Sequence, residues 1–326
     1  MTSLRKFIEK INTETGFTGD IRYAEPLALH TTFQVGGPAD LWIRPEAACF
    51  LDYGAFLLCH AKAEGIPVFV LGGGANLVVS DQGIRGIVLD TSGWSGVDIA
   101  GEEVIIRSGT RIDAALDTLA AYQRGGLEFL AGMPGSMGGA LWMNARCYEK
   151  SLSDRVVAVD CLDREFHQLV VPYRSEDYGY KKSPFQNQDF LILSAKIKTS
   201  QRPEAAIQQE MEQYRLDRKR KGHYRFPSAG SVFKNNRDWG KPTGQILDEL
   251  GLRGLRIGGA AVAPWHGNII INTGNACAQD IHDLVRDISQ RVTITLGISL
   301  EPEILFVGDW PDQETAYALH RKNDAI

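Results

Sequence analysis

Four short blocks hold the residues whose types and spacing could do chemistry. The first is Leu71-Gly-Gly-Gly-Ala-Asn-Leu-Val-Val-Ser-Asp81, three consecutive glycines between the apolar runs Pro67–Leu71 and Leu77–Val79. Backbone of this kind takes φ > 0 or approaches another group closely. Its side-chain-free amides suit a pyrophosphate, because successive N–H groups can converge on anionic oxygens. A plain hairpin turn is the simpler alternative. The second block, Gly125 to Asn144, places Gly132, Gly135, Gly138 and Gly139 within eight residues. Pro134-Gly135 forces a turn, and Gly138-Gly139 allows close approach to a planar or phosphate group. Neither block has a Walker lysine or a GxGxxG opening a long helix. Together they suggest a dinucleotide held by loops in an α+β domain and argue against a Rossmann unit. The third block, Arg225-Phe-Pro-Ser-Ala-Gly-Ser-Val-Phe-Lys-Asn-Asn236, offers Ser228 and Ser231 hydroxyls beside Lys234. Either serine also reads as a turn hydroxyl. The fourth, Leu300-Glu-Pro-Glu-Ile304, carries Glu301 and Glu303, which also read as polar flanks of a strand.

The elements that must position these blocks follow from periodicity. Leu4 to Ile11 reads as a short helix, followed by a polar connection to residue 30. Leu41–Ile43 is strand-like, and Ala47 to Glu64 has helical spacing through Phe50, Tyr53, Phe56, Leu57, His60 and Ala61. With Val68–Leu71 this makes a βαβ unit, so its two strands should be parallel. Short strands are expected at Ile87–Leu89, Val97–Ile99 and Val104–Arg107, then a helix from Ile112 to Gln123. Strands follow at Val156–Leu162, Gln168–Val171 and Phe190–Lys198, the last antiparallel by its period-2 alternation. Pro203 to Lys221 is a charged helix ending in a basic run that reads as a solvated face or an anion guide. Thr243 to Leu250 is a helix with Gly251 as C-cap. Ile257–Val262 and Asn268–Asn272 are strands, and Ala278 to Leu296 is a long amphipathic helix. The change of character near residue 200 marks a domain boundary: 1–200 with an N-terminal subdomain at about 20–70 and a second at about 71–200, then 201–308, then a polar tail, 309–326.

Composition bounds the class. The chain has 326 residues, 44% apolar and 23% charged, as in an ordinary globular protein of two or three domains. Its formal net charge of -5 argues against a general nucleic-acid binder. No window reaches the roughly 18 apolar residues of a membrane span, and the first residues lack a signal-peptide core. Cys49, Cys59, Cys147, Cys161 and Cys277 form an odd set without a CxxC pair. A metal site or disulfide framework is therefore not expected, and a cytoplasmic location is.

Five blocks in order give the chain a resemblance: Thr31-Thr-Phe-Gln-Val-Gly-Gly-Pro-Ala39, Leu71 to Asp81, Gly132-Met-Pro-Gly-Ser-Met-Gly-Gly139 with Met143-Asn-Ala145, Pro227 to Asn235, and Leu300 to Ile304. They run from about residue 20 to 308 and resemble the UDP-N-acetylenolpyruvoylglucosamine reductase family, the MurB flavoenzymes of peptidoglycan synthesis, cell-wall biogenesis, cell shape and division. The resemblance implies an α+β chain: an FAD-binding domain of the vanillyl-alcohol-oxidase/PCMH type and a C-terminal α+β substrate domain. It implies non-covalent FAD and NADPH as cofactors, a monomer, no nucleic acid and no membrane insertion. NADPH would deliver hydride to N5 of FAD, and the flavin would pass it to the enolpyruvyl double bond of UDP-N-acetylglucosamine enolpyruvate. The product is UDP-N-acetylmuramate. Adding hydride to the methylene carbon leaves a carbanion beside the carboxylate, so an acid and cationic partners are required.

Carried over residue by residue, Ser231 matches the proton donor, with Lys234 a candidate to lower its cost, and Glu303 matches the assisting glutamate. Gly72, Gly73, Gly74, Ala75 and Asn76, together with Gly132, Pro134, Gly135, Ser136, Gly138, Gly139 and Asn144, match flavin-binding positions. Tyr180, Lys221, Lys234, Asn235, His266 and Asn268 resemble substrate positions, and Arg218 to Lys221 are candidates to guide phosphates. At Gly179-Tyr-Lys-Lys-Ser-Pro-Phe185 the chain departs from the family pattern, placing Lys181 where an arginine binds the substrate carboxylate. Lysine keeps the charge and loses the planar bidentate fork, so a single ammonium suffices or Lys182 or another cation shares the work. The short link after Phe185 fits the shorter family type, without a substrate-covering insertion. Two other readings compete: another FAD-dependent oxidase or dehydrogenase of this fold, and a non-catalytic nucleotide-sugar-binding protein.

Overall fold

The protein is described by a computed structural model covering residues 2–163, 165, 167–187 and 190–311, so most of the expected 309–326 tail lies outside the described residues. Its N-terminal sheet has the order Gly19–Pro26, Pro38–Pro45, Ile84–Asp90, Val68–Leu71. The first pair is antiparallel and the other two are parallel. Helices Thr2–Thr15 and Phe50–Ala63 cover one face, bringing Phe7, Ile11, Tyr53 and Leu57 onto Leu41, Ile43 and Leu89. The βαβ strands are parallel, as their order requires, but they are not neighbours. Ile84–Asp90 is inserted between them, and its nearly continuous buried run is that of a strand covered on both faces. The first sheet thus draws on residues up to 90, past the expected limit near 70. Gly19–Pro26 occupies part of the stretch read as a polar connection; as an edge strand it buries little, and its alternation is weak.

The second sheet is antiparallel throughout, in the order Gln168–Pro172, Val156–Leu162, Leu191–Lys198, Glu103–Arg107, Val97–Ala100. Its core gathers Ile106, Val159 and Ala195 under Leu116 and Leu119 of helix Ile112–Ala121. Ile207 and Met211 lie in the same core, so helix Glu204–Arg220 packs with this sheet although it follows the expected boundary near 200.

The third core sets helix Ala278–Leu296 against three short strands, Arg256–Ile257, Ala260–Val262 and Ile270–Asn272. Ile257–Val262, read above as one strand, is a hairpin: Gly258 sits at φ +52° and the Gly259 amide is held by Asp280 at 2.9 Å. Phe33, Val35 and Val78 from the N-terminal quarter enter this core, and Leu77–Val79 pairs in parallel with Leu305–Val307. Asp81, at the end of the first glycine block, accepts from the Ala278 and Gln279 amides at 2.8 and 2.9 Å. It thereby caps the helix Ala278–Leu296 from a distant part of the chain, where a carboxylate also meets the favourable end of the helix dipole. Asp81→Ala is expected to lower stability by about 1–2 kcal/mol, read as a lower urea midpoint at unchanged slope. An unchanged midpoint would show that the cap contributes nothing.

Candidate active site

The three regions meet around a cavity of about 1930 Å³. That is well above the roughly 300–1,000 Å³ of a site for one small ligand. Residues 72–76 form one wall; Gly132, Pro134, Gly135, Ser136, Gly138 and Gly139 form the adjoining one. The two glycine blocks are stitched together by Ser136, whose Oγ accepts from the Gly73 amide at 3.2 Å and the Gly139 amide at 3.4 Å. A Cβ on Gly73 would stand 2.5 Å from Gly135 Cα, so backbone lies directly on backbone there. The glycines serve each other as well as any ligand. Asn76 reaches further: its Nδ2 donates to the Glu303 carbonyl at 2.8 Å, and its own carbonyl accepts from Leu305 at 2.9 Å.

Ser231 faces the cavity from a segment clamped on both sides. On one side Val232 donates to the Asn268 carbonyl at 2.9 Å; on the other Glu303 donates to the Val232 carbonyl at 2.7 Å. Lys234 N donates to the Glu301 carbonyl at 2.9 Å. Ser231 and Glu303 therefore stand on neighbouring hydrogen-bonded segments. Asn268 is buried behind the wall, with Oδ1 accepting from Phe233 N at 2.9 Å and Nδ2 donating to Phe233 O at 2.8 Å. Both ends of its amide bind the Phe233 backbone and the residue is outside the lining, so it positions the Ser231 segment from behind. Lys234 is also outside the lining, its ammonium 2.5 Å from Glu301, which removes the basis for Lys234 easing proton loss at Ser231. Asn144 is the third such residue: buried, it donates to the Gly179 carbonyl at 2.8 Å and accepts from Ser153 at 3.1 Å, anchoring the loop that carries Tyr180 and Lys181.

Lys181 Nζ lies 2.6 Å from Glu303 Oε1, both side chains being little exposed. Its φ is +56°, a left-handed conformation that costs a non-glycine residue about 1–3 kcal/mol and tends to mark functional loops. Lys182 is not part of the lining. Tyr180 is 42% exposed and its hydroxyl accepts from Asn235 N at 3.3 Å. Asn235 Oδ1 accepts from Thr243 N at 2.8 Å. Lys221 lines the cavity with its ammonium 2.6 Å from Asp217. That contact, and then the Tyr148 hydroxyl, hold the Asp217 carboxyl below its usual range. His266 accepts from Asn268 N at 3.1 Å through Nδ1, so its ring proton is on Nε2, and burial holds it neutral.

Several lining residues were not singled out from sequence: Arg146, Tyr148, His223 and Tyr224. Arg146–Cys147 pairs with Lys150–Ser151 across a turn in which Tyr148 and Glu149 sit at φ 50° and 62°. Such turns ordinarily carry Asn-Gly, so no turn signal marked this hairpin. Arg218, named above only as a phosphate guide, is buried; its Nε donates to the Ala131 carbonyl at 3.0 Å and its Nη2 has no protein partner.

Residues 222–307 match the profile of the UDP-N-acetylenolpyruvoylglucosamine reductase C-terminal domain, and residues 55–165 that of an FAD binding domain. The chain is 37% identical over 318 residues to the UDP-N-acetylenolpyruvoylglucosamine reductase of Treponema denticola, covering 92% of this chain and 97% of that one. It is 34% identical over 307 residues to the same enzyme of Borreliella burgdorferi, covering 94% and 98%. The crystal structure of the Thermus caldophilus enzyme superposes with a TM-score of 0.71 at 32% identity, covering 90% of this chain and all of that one.

The two cavity histidines give a pH signature. Burial, and then the Arg218 charge, lower the His223 imidazole from 6.5 to about 4. The fold therefore holds His223 neutral where the unfolded chain takes up a proton. Its contribution is intact above pH 6.5 and is lost as pH falls toward about 4. Burial of His266 acts in the same direction. Urea unfolding at about pH 7 and about pH 4.5 should show stability falling with acid, and His223→Gln should flatten the fall. An equal fall in the variant would assign the effect to other groups.

Proposed function

The chain belongs to the UDP-N-acetylenolpyruvoylglucosamine reductase family, and from that membership we propose that it reduces UDP-N-acetylglucosamine enolpyruvate to UDP-N-acetylmuramate, with FAD as cofactor and NADPH as reductant. The observation that carries the reading is the convergence of Ser231, Glu303 and Lys181 on one cavity walled by two glycine loops. The activity is that of a UDP-N-acetylmuramate dehydrogenase, a step of peptidoglycan precursor synthesis. A monomer in the cytoplasm is the form we infer. We place the limit of the substrate domain near residue 222, because helix Glu204–Arg220 packs into the second core.

The cavity fits FAD. Its volume exceeds that of a single small ligand, and the glycines of both loops leave side-chain-free backbone along two of its walls. Two buried polar atoms on the lining residues, Ser108 Oγ and Arg218 Nη2, have no protein partner and are ready for a polar ligand. Residues 72–76 and Gly132 to Gly139 would hold the cofactor, and Asn144 would support them from behind. When bound, FAD supplies the relay of hydride from NADPH, through N5, to the enolpyruvyl double bond.

The chain's own residues govern what surrounds that transfer. Charge develops on the carbon bearing the carboxylate as the methylene carbon receives hydride. Ser231 donates its hydroxyl proton to that carbon and recovers one from water in the open cavity. Its clamped segment fixes the direction of donation, which is where most of the rate advantage of a positioned acid arises. Glu303 holds the Lys181 ammonium aimed, and the pair assists polarisation of the substrate and delivery of the proton. Tyr180, Asn235, Lys221 and neutral His266 line the region available to the nucleotide sugar.

The test is anaerobic absorbance. Titration with NADPH should bleach the flavin band of the purified protein, and the enolpyruvyl nucleotide sugar should restore it. Ser231→Ala should keep the bleaching and slow the return by about 100-fold or more. Lys181→Ala should weaken the substrate's effect while sparing bleaching. Return only with oxygen would point to a different oxidase or dehydrogenase, and a protein that binds no FAD would sink the assignment.

A further inference from the structure

One cation in the cavity wall stands apart from the rest, and we propose that Arg146 grips the substrate's enolpyruvyl carboxylate, supplying the guanidinium fork that Lys181 lacks. The proposal rests on the reaction assigned above. It starts from the charges in the wall. Arg85 pairs with Asp40 at 2.6 Å, Lys181 with Glu303 at 2.6 Å and Lys221 with Asp217 at 2.6 Å. Arg218 is buried, tied to the Ala131 carbonyl and stacked 5.6 Å from the Tyr148 ring. Arg146, like Arg218, meets no carboxylate among the described residues, but unlike Arg218 it is not buried. Its guanidinium lies over the Tyr180 ring, Cζ 6.0 Å from the ring centroid.

Lys181 and Glu303 together carry no net charge. A substrate carboxylate placed beside them alone would set two anions around one ammonium, an arrangement that disfavours the ionised form of one of them. A second cation resolves this. Arg146 is placed to act, because the stretch that carries it also anchors the Lys181 loop: Asn144, two residues earlier, donates to the Gly179 carbonyl at 2.8 Å. The Arg146 guanidinium then lies over Tyr180, the residue next to Lys181. The Arg146–Ser151 hairpin is held by a turn with two left-handed non-glycine residues, which fixes the backbone from which Arg146 projects.

The chemistry favours a guanidinium for this position. A bidentate fork holds the carboxylate in one plane, and that plane decides whether charge arising on the adjacent carbon can delocalise into it. The carboxylate oxygens gain charge during hydride addition, so the contact strengthens as the reaction proceeds and raises kcat as well as affinity.

The experiment compares Arg146→Gln, Arg146→Lys, Lys181→Arg and the double variant R146Q/K181R with the wild-type holoenzyme. Two equilibrium ligands separate the possibilities: UDP-N-acetylmuramate, which carries the carboxylate, and UDP-N-acetylglucosamine, which does not. Arg146→Gln should weaken UDP-N-acetylmuramate binding by about ten- to a hundredfold and leave UDP-N-acetylglucosamine unchanged. The rate of bleaching by NADPH should be unaffected, while recovery with substrate slows. Arg146→Lys should fall between, and Lys181→Arg should restore most of what Arg146→Gln loses. Equal loss of both ligands, or loss of neither, overturns the proposal. A wild-type holoenzyme that the enolpyruvyl nucleotide sugar does not reoxidise instead overturns the reaction on which it rests.

Discussion

The contact between Gly73 and Gly135 is the constraint on which the site depends. The approach is open only because Gly73 has no side chain, since a Cβ there would stand 2.5 Å from Gly135 Cα, while Gly135 itself sits at φ +119°. Ser136 fixes the approach by accepting from both loops. From there a line of hydrogen bonds crosses the molecule. Asn76 holds the Glu303 carbonyl, Glu303 N holds Val232, and Asn268 holds both polar backbone atoms of Phe233. Ser231 is thus referenced to the glycine loops through contacts of 2.7 to 2.9 Å, each of which fixes direction as well as distance.

Electrostatics adds a second constraint. Lys181 and Glu303 are each little exposed, so either one left alone would carry a large desolvation cost. Removing one partner is therefore a different perturbation from exchanging the pair. The left-handed backbone at Lys181 and the Asn144 anchor beneath Gly179 keep the pair in place. The overall charge of -5 says nothing of this local balance, in which Arg85, Arg146, Lys181, Arg218 and Lys221 face one cavity.

What could be read from the sequence differs by kind of feature. Helix Ala278–Leu296 was legible to the residue, because its apolar positions recur with a helical period and Gly297 ends it in a left-handed cap. The glycine blocks were legible as places of close backbone approach, which Gly73 lying on Gly135 displays. Sheet order was not: that Ile84–Asp90 separates the two βαβ strands depends on long-range pairing that leaves no local trace. The same limit explains Asn144, Asn268 and Lys234. Residue type and block membership brought them near the site, but whether a side chain turns toward the cavity or behind it is decided by neighbours distant in sequence. Arg146 shows the opposite failure, a lining residue carried on a turn without turn residues.

The site also ties folding to ligand binding. Its walls come from residues 72–76, the second glycine block, Tyr180 and Lys181, the end of helix Glu204–Arg220, residues 228–231 and Glu303, which are carried by segments of different cores. No one of those cores presents the cavity alone. Asp81, capping helix Ala278–Leu296, and Leu77–Val79, paired with Leu305–Val307, are what bring the third core against the first. A ligand spanning the walls binds only the assembled form, so it stabilises those cross-contacts by mass action. The Ser231 segment gains most, because it belongs to the third core while the glycine loops that face it belong to the other two. Because Phe33, Val35 and Val78 are part of the third core itself, that segment cannot leave the cavity without disrupting the core, and occupancy of the cavity opposes the disruption.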